Sequence, residues 1–93
     1  GKEVMKIYPN PFHDFLIIEC SLEQIGQTKL EIYNSNGKLI RLLEESSNQL
    51  MKVQTYHWDG KNESGIKCLP GIYLIKLTDP ENNIHVKKSM FVY

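Results

Sequence analysis

Histidine, serine and acidic side chains are the groups with which a chain of this size could catalyse a reaction. The adjacent His13 and Asp14 could orient a general base, but a base needs a nucleophile to activate. Ser64, the one serine beside a glycine, has only half of a nucleophile-elbow pattern. His57 and His85 stand far apart in the sequence. The sequence therefore predicts no catalytic residues, and we expect that the protein is not an enzyme.

Residues 58–65 form the most distinctive local string, Trp-Asp-Gly-Lys-Asn-Glu-Ser-Gly. Asp59, Asn62 and Glu63 could offer oxygen ligands, but calcium takes about six to eight oxygens and the EF-hand spacing is not met. Aspartate and asparagine side chains also bond their own backbone in turns, and glycine permits bends. We therefore favour a structural turn that follows Trp58 at the end of a strand, and we predict no metal and no cofactor.

The sequence contains two cysteines, Cys20 and Cys68. Two cysteines are too few for a disulfide framework or for a four-ligand zinc site. They could form one disulfide in an oxidising compartment, or they could be two small apolar residues of the core. The spacing does not decide between these alternatives, and we favour the second.

The charge balance and the length exclude further classes of function. Eleven basic and eleven acidic residues give a net charge of zero, so the chain lacks the basic field that attracts nucleic acid. Apolar runs stay far below the ~18 residues that span a bilayer, and the first residues lack the pattern of a signal peptide. We expect one domain over residues 1–93, with residues 1–3 as a linker or a remnant of cloning, at one end of a longer natural protein.

The elements that must position these side chains follow a period of two. Apolar residues, many of them β-branched or aromatic, alternate with polar ones, which is typical of β-strands. The alternation predicts seven strands, over residues 4–8, 14–20, 28–33, 38–44, 51–58, 71–78 and 84–92. A helix over residues 40–50 is rejected because it lacks a cap and its flanks have the strand pattern.

Turn residues separate the predicted strands. Asn36 and Gly37 predict a tight hairpin over residues 28–44, and Asp-Pro-Glu-Asn-Asn at residues 79–83 predicts a second turn. Residues 46–49 are interpreted as a polar loop, and residues 59–70 as the longest irregular stretch. The pattern predicts an all-β fold, a seven-stranded antiparallel immunoglobulin-like β-sandwich with Greek-key connections.

Two strings near the C-terminus are predicted to belong to this framework. Pro70 and Gly71 lead into a strand on which Tyr73 points inward, like the tyrosine corner whose hydroxyl holds an adjoining connection. Residues 87–93 end the chain in a strand. Its lysines could guard a sheet edge, or its apolar side chains could be a handle for a partner. A free edge strand also allows a homodimer by edge pairing.

Together these strings resemble the type A C-terminal sorting domain of type IX secretion cargo, from about residue 7 to residue 93. The strings are Tyr-Pro-Asn-Pro at 8–11, Leu-Glu-Ile-Tyr-Asn-Ser-Asn-Gly-Lys at 30–38, Leu-Pro-Gly-Ile-Tyr-Leu-Ile-Lys-Leu at 69–77 and Lys-Lys at 87–88. The resemblance implies a signal that directs a larger cargo protein of Bacteroidetes-type bacteria through the periplasm to the cell surface or the medium. The implied partners are outer-membrane translocon and shuttle proteins and a sortase-like peptidase, without nucleic acid and without membrane insertion.

The resemblance also implies where partner recognition lies. The family's motifs fall on the first seven of the following candidates, and the last two lie on the terminal strand: Pro9, Asn10, Pro11, Gly71, Tyr73, Lys87, Lys88, Met90 and Val92. Residues 90–93 depart from the family because they are wholly apolar or aromatic, where relatives often carry a late lysine.

A second hypothesis is a structural or adhesive module of a surface protein. Residues 58–65 are similar to the immunoglobulin-like module of flagellar hook-capping proteins, which shares the sandwich pattern. Such a module could act as a spacer, an assembly domain or a carbohydrate-binding accessory domain. Carbohydrate binding would need exposed coplanar aromatic rings, for which Phe15, Tyr33 and Tyr56 are the candidates.

Overall fold

Seven β-strands make up the framework of the protein in a computed structural model that describes residues 3–49 and 53–93. The strands are β1 (Met5–Tyr8), β2 (Leu16–Ser21), β3 (Gly26–Asn34), β4 (Leu39–Gln49), β5 (Val53–Trp58), β6 (Gly71–Thr78) and β7 (Ile84–Phe91). The described part of the chain contains no helix, so it has no helix that is long and apolar enough to cross a membrane. The all-β prediction and the predicted number of strands are confirmed.

The strands form two antiparallel sheets. One sheet has the order β1-β2-β5 and the other has the order β4-β3-β6-β7. The chain passes from one sheet to the other between β2 and β3, between β4 and β5, and between β5 and β6. The last strand, β7, therefore lies at an edge of the four-stranded sheet, beside β6.

A single hydrophobic core joins the inner faces of the two sheets. Successive side chains of a strand point to opposite faces, so alternate residues of β2 and of β6 are buried. Burial of one aliphatic side chain stabilises the fold by about 1.5–3 kcal/mol. The buried hydrophobic residues are Met5, Phe12, Leu16, Ile18, Cys20, Leu22, Leu30, Ile32, Trp58, Cys68, Tyr73, Ile75, Leu77 and Phe91.

Four aromatic rings from distant parts of the sequence meet at one end of this core. The Phe12 ring stacks on Phe91 with a centroid distance of 4.9 Å and lies 5.5 Å from Trp58. Trp58 in turn packs edge-on against Tyr73 at 5.2 Å. Phe12 and Phe91 each have no exposed surface, so the end of β7 is part of the core.

The predicted turns are confirmed by their hydrogen bonds. The backbone N–H of Gly37 donates to the carbonyl of Asn34, and that of Asn34 donates to the carbonyl of Lys38, which closes the β3–β4 hairpin. In the β6–β7 turn, Asp79 Oδ1 accepts the backbone N–H groups of Glu81 and Asn83, both at 2.9 Å. Asp79 Oδ2 also lies 2.9 Å from His85 Nε2.

The prediction of a polar loop at residues 46–49 is wrong. These residues continue β4, in which Ser46 pairs with Thr28 and Gln49 with Gly26. The pairing is possible because β3 begins at Gly26, two residues earlier than predicted, and because three register shifts absorb the extra residues of β4. Of the predicted fifth strand, residues 51 and 52 lie outside the described residues.

We predict that Gly60→Ala destabilises the fold more than Gly65→Ala. Both glycines have left-handed backbone angles, with φ of 76° and 79°, in which a non-glycine residue costs about 1 kcal/mol or more. A Cβ at position 60 would also lie 2.7 Å from Cζ of the buried Phe91 ring, whereas one at position 65 would meet nothing within 4 Å. Urea unfolding should show a loss of about 1 kcal/mol for Gly65→Ala and at least about 2 kcal/mol for Gly60→Ala. Equal losses would contradict the packing of Phe91 against this turn.

We also predict an acid-sensitive contribution from the β6–β7 turn. Burial would raise the pKa of Asp79, but the hydrogen bonds from His85 and from the Asn83 and Glu81 backbones outweigh it and lower that pKa. A carboxylate with a lowered pKa stabilises the fold fully above its unfolded pKa, and this contribution disappears as the pH falls through the folded pKa. The difference in unfolding free energy between the wild type and Asp79→Asn should therefore shrink as the pH falls below about 4. A difference that stays constant from pH 6 to pH 2 would contradict this assignment.

Candidate partner-recognition surface

The segment that follows β1 is hydrogen-bonded to the end of β7. The backbone N–H of Phe12 donates to the carbonyl of Met90, and the N–H of Val92 donates to the carbonyl of Phe12, both at 2.9 Å. The Asn10 side-chain oxygen accepts the N–H of Met90 at 3.0 Å. We call these contacts, between residues 10–12 and residues 90–92, the terminal clasp.

The terminal clasp brings together two groups of candidates that lie 80 residues apart in sequence. Pro9, Asn10 and Pro11 are exposed, and Met90 beside them keeps 42% of its surface exposed. Val92 is half-buried and is held by its bond to Phe12. Five of the nine predicted recognition residues therefore lie on one surface of the described protein.

The last residue of the chain is also fixed to the framework. The Tyr93 hydroxyl donates to the carbonyl of Cys68 at 2.9 Å, and the Lys67 ammonium lies 5.0 Å from the Tyr93 ring centroid. A cation over an aromatic face adds about 0.5–1 kcal/mol at an exposed site. The predicted C-terminal strand is confirmed, and the residue beyond it packs on the loop between β5 and β6.

The structure separates the two candidate lysines. Lys87 is half-buried and forms an ion pair with Glu3. The strands β1 and β7 are also in contact with each other, so the ion pair lies where the edges of the two sheets meet. The hydrogen bond from Lys87 and the positive charge of that lysine lower the pKa of the Glu3 carboxyl. Lys88 points to the opposite face, is exposed, and makes no salt bridge with the other described residues.

Gly71 and Tyr73 lie inside the framework. Gly71 pairs with Phe91 across β6 and β7. Tyr73 has only 6% of its surface exposed, and its hydroxyl donates to the carbonyl of Leu69 at 2.6 Å. The predicted tyrosine corner is confirmed, because this bond holds the connection that precedes β6. A partner can therefore reach little of Tyr73, whereas Gly71 is only half-buried.

Exposed apolar side chains lie on the outer face of both edge strands of the four-stranded sheet, and of these only Met90 was predicted from the sequence. These side chains are Leu39, Leu42, Ile84, Val86 and Met90. In β7 the alternation that buries Ser89 and Phe91 turns Ile84, Val86 and Met90 outward. The sequence of β7 has apolar residues on both faces of the strand, since Phe91 faces the core and Ile84, Val86 and Met90 face outward. Alternation of side chains alone does not say which of the two faces packs against the other sheet.

The loop at residues 58–65 folds as the predicted structural turn. Asp59 Oδ1 accepts the Lys61 N–H at 3.0 Å and Arg41 Nη1 at 2.9 Å. Asn62 Oδ1 accepts the backbone N–H groups of Ser64 and Ile66. One oxygen of each of the three residues considered for calcium thus accepts a hydrogen bond within the protein, in the case of Glu63 from the Leu42 N–H. Residues 3–49 and 53–93 contain no cluster of three metal-ligating side chains.

Both cysteines are free and buried, so the favoured interpretation as core residues is confirmed. Burial raises the pKa of the Cys20 thiol to about 12 and raises the pKa of the Cys68 thiol as well. A thiol that stays protonated is neither a nucleophile nor a metal ligand. The two side chains therefore act as apolar groups.

The aromatic side chains proposed for carbohydrate binding do not form one platform. Tyr33 lies on the four-stranded sheet, whereas Tyr56 belongs to the three-stranded sheet and packs against the core. Phe15 is exposed just before β2 and contacts His57 edge-on, with a centroid distance of 6.2 Å. The coplanar arrangement that stacking on a sugar requires is not present among these three rings.

The fold and the terminal clasp define a small all-β module whose last strand is part of its core. The chain matches the family described as secretion system C-terminal sorting domain over residues 6–92, and it belongs to that family. Its role is therefore that of a C-terminal secretion signal, which marks a protein for export toward the cell surface or for secretion.

Two solved structures from Porphyromonas gingivalis are similar to the chain. One is PorZ, an essential bacterial surface component of the type-IX secretion system, with 18% identity and a TM-score of 0.62 over 96% of this chain and 11% of that chain. The other is dimeric latent PorU, with 20% identity and a TM-score of 0.71 over 95% of this chain and 9% of that chain. At such identities the likeness shows a shared fold, and the chain spans about a tenth of either protein. None of the curated protein sequences matches the chain.

We predict that Asn10→Ala weakens the terminal clasp more than Asn10→Asp does. Alanine removes the acceptor for the Met90 N–H, which should cost about 0.5–1.5 kcal/mol in urea unfolding. Aspartate keeps an oxygen at the same place, so its loss should be smaller. If both variants had the same unfolding free energy as the wild type, the hydrogen bond of the Asn10 side chain would not stabilise the clasp, and the prediction would be wrong.

Proposed function

We propose that this domain directs a larger cargo protein across the outer membrane by the type IX system, and that the machinery reads it as a folded surface. The observation that carries the proposal is the terminal clasp, which joins the Pro-Asn-Pro motif to the end of β7. A rigid surface binds a partner without the cost of ordering a flexible segment. The domain is then the substrate of export, and it has no catalytic part in it.

The recognition surface in this proposal consists of exposed residues around the clasp. This surface presents rigid apolar groups and one cation to a partner, from Pro9, Pro11, Met90 and Lys88. Asn10 and Val92 position these groups through their hydrogen bonds. The remaining three candidates, Gly71, Tyr73 and Lys87, act through the stability of the framework.

The proposed partners are translocon and shuttle proteins of the outer membrane and a sortase-like peptidase that removes the domain after export. The cargo would pass through the periplasm before it reaches the surface. The similarity to PorZ, an essential surface component of the type-IX secretion system, supports an association of this fold with that system. A further proposed partner is a second copy of the chain, which would pair through an edge strand to form a homodimer.

We assign the fold to the immunoglobulin-like class with Greek-key connections. The division into three and four strands and the three crossings between the sheets support this assignment. The hydroxyl of Tyr73 on the carbonyl of Leu69 adds the tyrosine corner of such sandwiches.

We predict that Lys88→Ala impairs export and that its neighbour Lys87→Ala impairs stability. The chain would be fused to a periplasmic reporter in a host with type IX secretion, and the secreted fraction would be measured. Loss of an exposed contact residue should lower that fraction about fivefold or more, since truncation of an interface hot spot costs more than ~1 kcal/mol. Lys87→Ala removes the ion pair with Glu3, so it should lower the thermal midpoint more than Lys88→Ala does.

Thermal unfolding of both variants serves as the control, because an unfolded domain would also fail to be exported. The proposal predicts a stable Lys88→Ala variant with reduced export. Export at the wild-type level for Lys88→Ala, and likewise for Pro9→Ala and Met90→Ala, would contradict recognition at this surface.

A further inference from the structure

The edge of β7 is covered at one end and open at the other. The terminal clasp uses the N–H and the carbonyl of Met90 and the N–H of Val92, so these groups point away from β6. Backbone groups in an antiparallel strand alternate between its two neighbours. The corresponding groups of Ile84, Val86 and Lys88 therefore also point to the edge, where no backbone group of the described residues bonds to them.

Residues 84–88 lack two of the devices with which proteins usually protect an edge strand, a short length and a bulge, although Lys88 supplies an exposed lysine. Short strands, bulges and inward-pointing charges are common protections. The edge strand β4 has three register shifts and β1 has only four residues, whereas β7 pairs with β6 without a shift over eight residues. The inward charge of Lys87 is offset by Glu3. On the outer face, Ile84 and Val86 are 58% and 51% exposed.

We infer that residues 84–88 pair antiparallel with the same residues of a second copy of this chain. The open segment is centred on Val86, so a two-fold axis there places Val86 opposite Val86 and Ile84 opposite Lys88. Any register that brought the two Lys88 residues face to face would extend each strand into the partner's terminal clasp. The clasp thus limits the pairing at one end, and the register centred on Val86 is the one that uses the whole open segment.

The side chains across this interface are compatible. On the outer face, the Val86 side chains of the two copies contact each other and the diagonal Ile84 residues shield them, while the two lysines stay apart. On the inner face, Lys87 of one copy lies opposite His85 of the other, and each already has its own carboxylate, Glu3 and Asp79. The four-stranded sheets of the two copies would join into one continuous sheet.

The dimer is weak, because five residues of each chain bury less surface than the ~1,200 Å² of a stable interface. Cross-linking therefore tests it better than chromatography. Antiparallel pairing places the two Val86 Cα atoms about 5.5 Å apart, within the range of a disulfide. The two Lys88 Cα atoms would be about 14 Å apart, which is beyond that range.

The test is mild oxidation of cysteine variants of the 93-residue chain with oxidised glutathione, followed by electrophoresis without reductant. Val86→Cys should give a cross-linked dimer with a yield at least about tenfold above that of Lys88→Cys, given the two distances. A mixture of Ile84→Cys and Lys88→Cys should give a dimer that contains one copy of each. The wild type is the control for Cys20 and Cys68, which are buried.

Circular dichroism would establish that each variant is folded. Folded Val86→Cys that yields no more dimer than the wild type would overturn the inference, and so would equal yields for Val86→Cys and Lys88→Cys, which indicate random collision. The inference rests on the edge of β7 and not on export, so loss of cross-linking would leave the secretion role untouched. Val86→Lys should abolish the dimer, and the export assay would then show separately whether export requires it.

Discussion

Three hydrogen bonds between residues 10–12 and residues 90–92 hold the last strand against the rest of the protein. They act together with the stacking of Phe12 on Phe91 inside the core. Because the two segments come from opposite ends of the described chain, their contacts tie its first and last strands together. The C-terminal residues are therefore a product of the fold and cannot be described as a free tail.

This constraint underlies our proposal for how a short module acts as a secretion signal. The family motifs lie far apart in sequence, yet the clasp places Pro9, Pro11 and Met90 on one surface. Other motif residues, such as Tyr73, have their effect inside the framework. A residue can thus be essential to a sorting domain either because a partner touches it or because the surface collapses without it. In the proposal above, Lys88 is an example of the first case and Lys87 of the second.

Much of the fold could be predicted from the sequence because its strands are amphipathic and its turns carry strong local signals, such as Asn36 followed by Gly37. The extension of β4 through residues 46–49 could not, since the polar residues there pair as a strand only after bulges shift the register. The terminal clasp and the Glu3–Lys87 ion pair could not be predicted from the sequence either. They depend on the order of the strands in the two sheets, which local alternation does not determine.

The rate at which backbone amides exchange their hydrogen in the native state, measured residue by residue at low protein concentration by NMR, tests the central claim most directly. If the clasp holds the end of β7, the amides of Met90 and Val92 are protected nearly as well as those of the central strand β6, while those of Val86 and Lys88 on the open edge exchange much faster. Rapid exchange at Met90 and Val92, in a domain whose β6 amides remain protected, would show that the last residues are detached from the sandwich and would contradict the account.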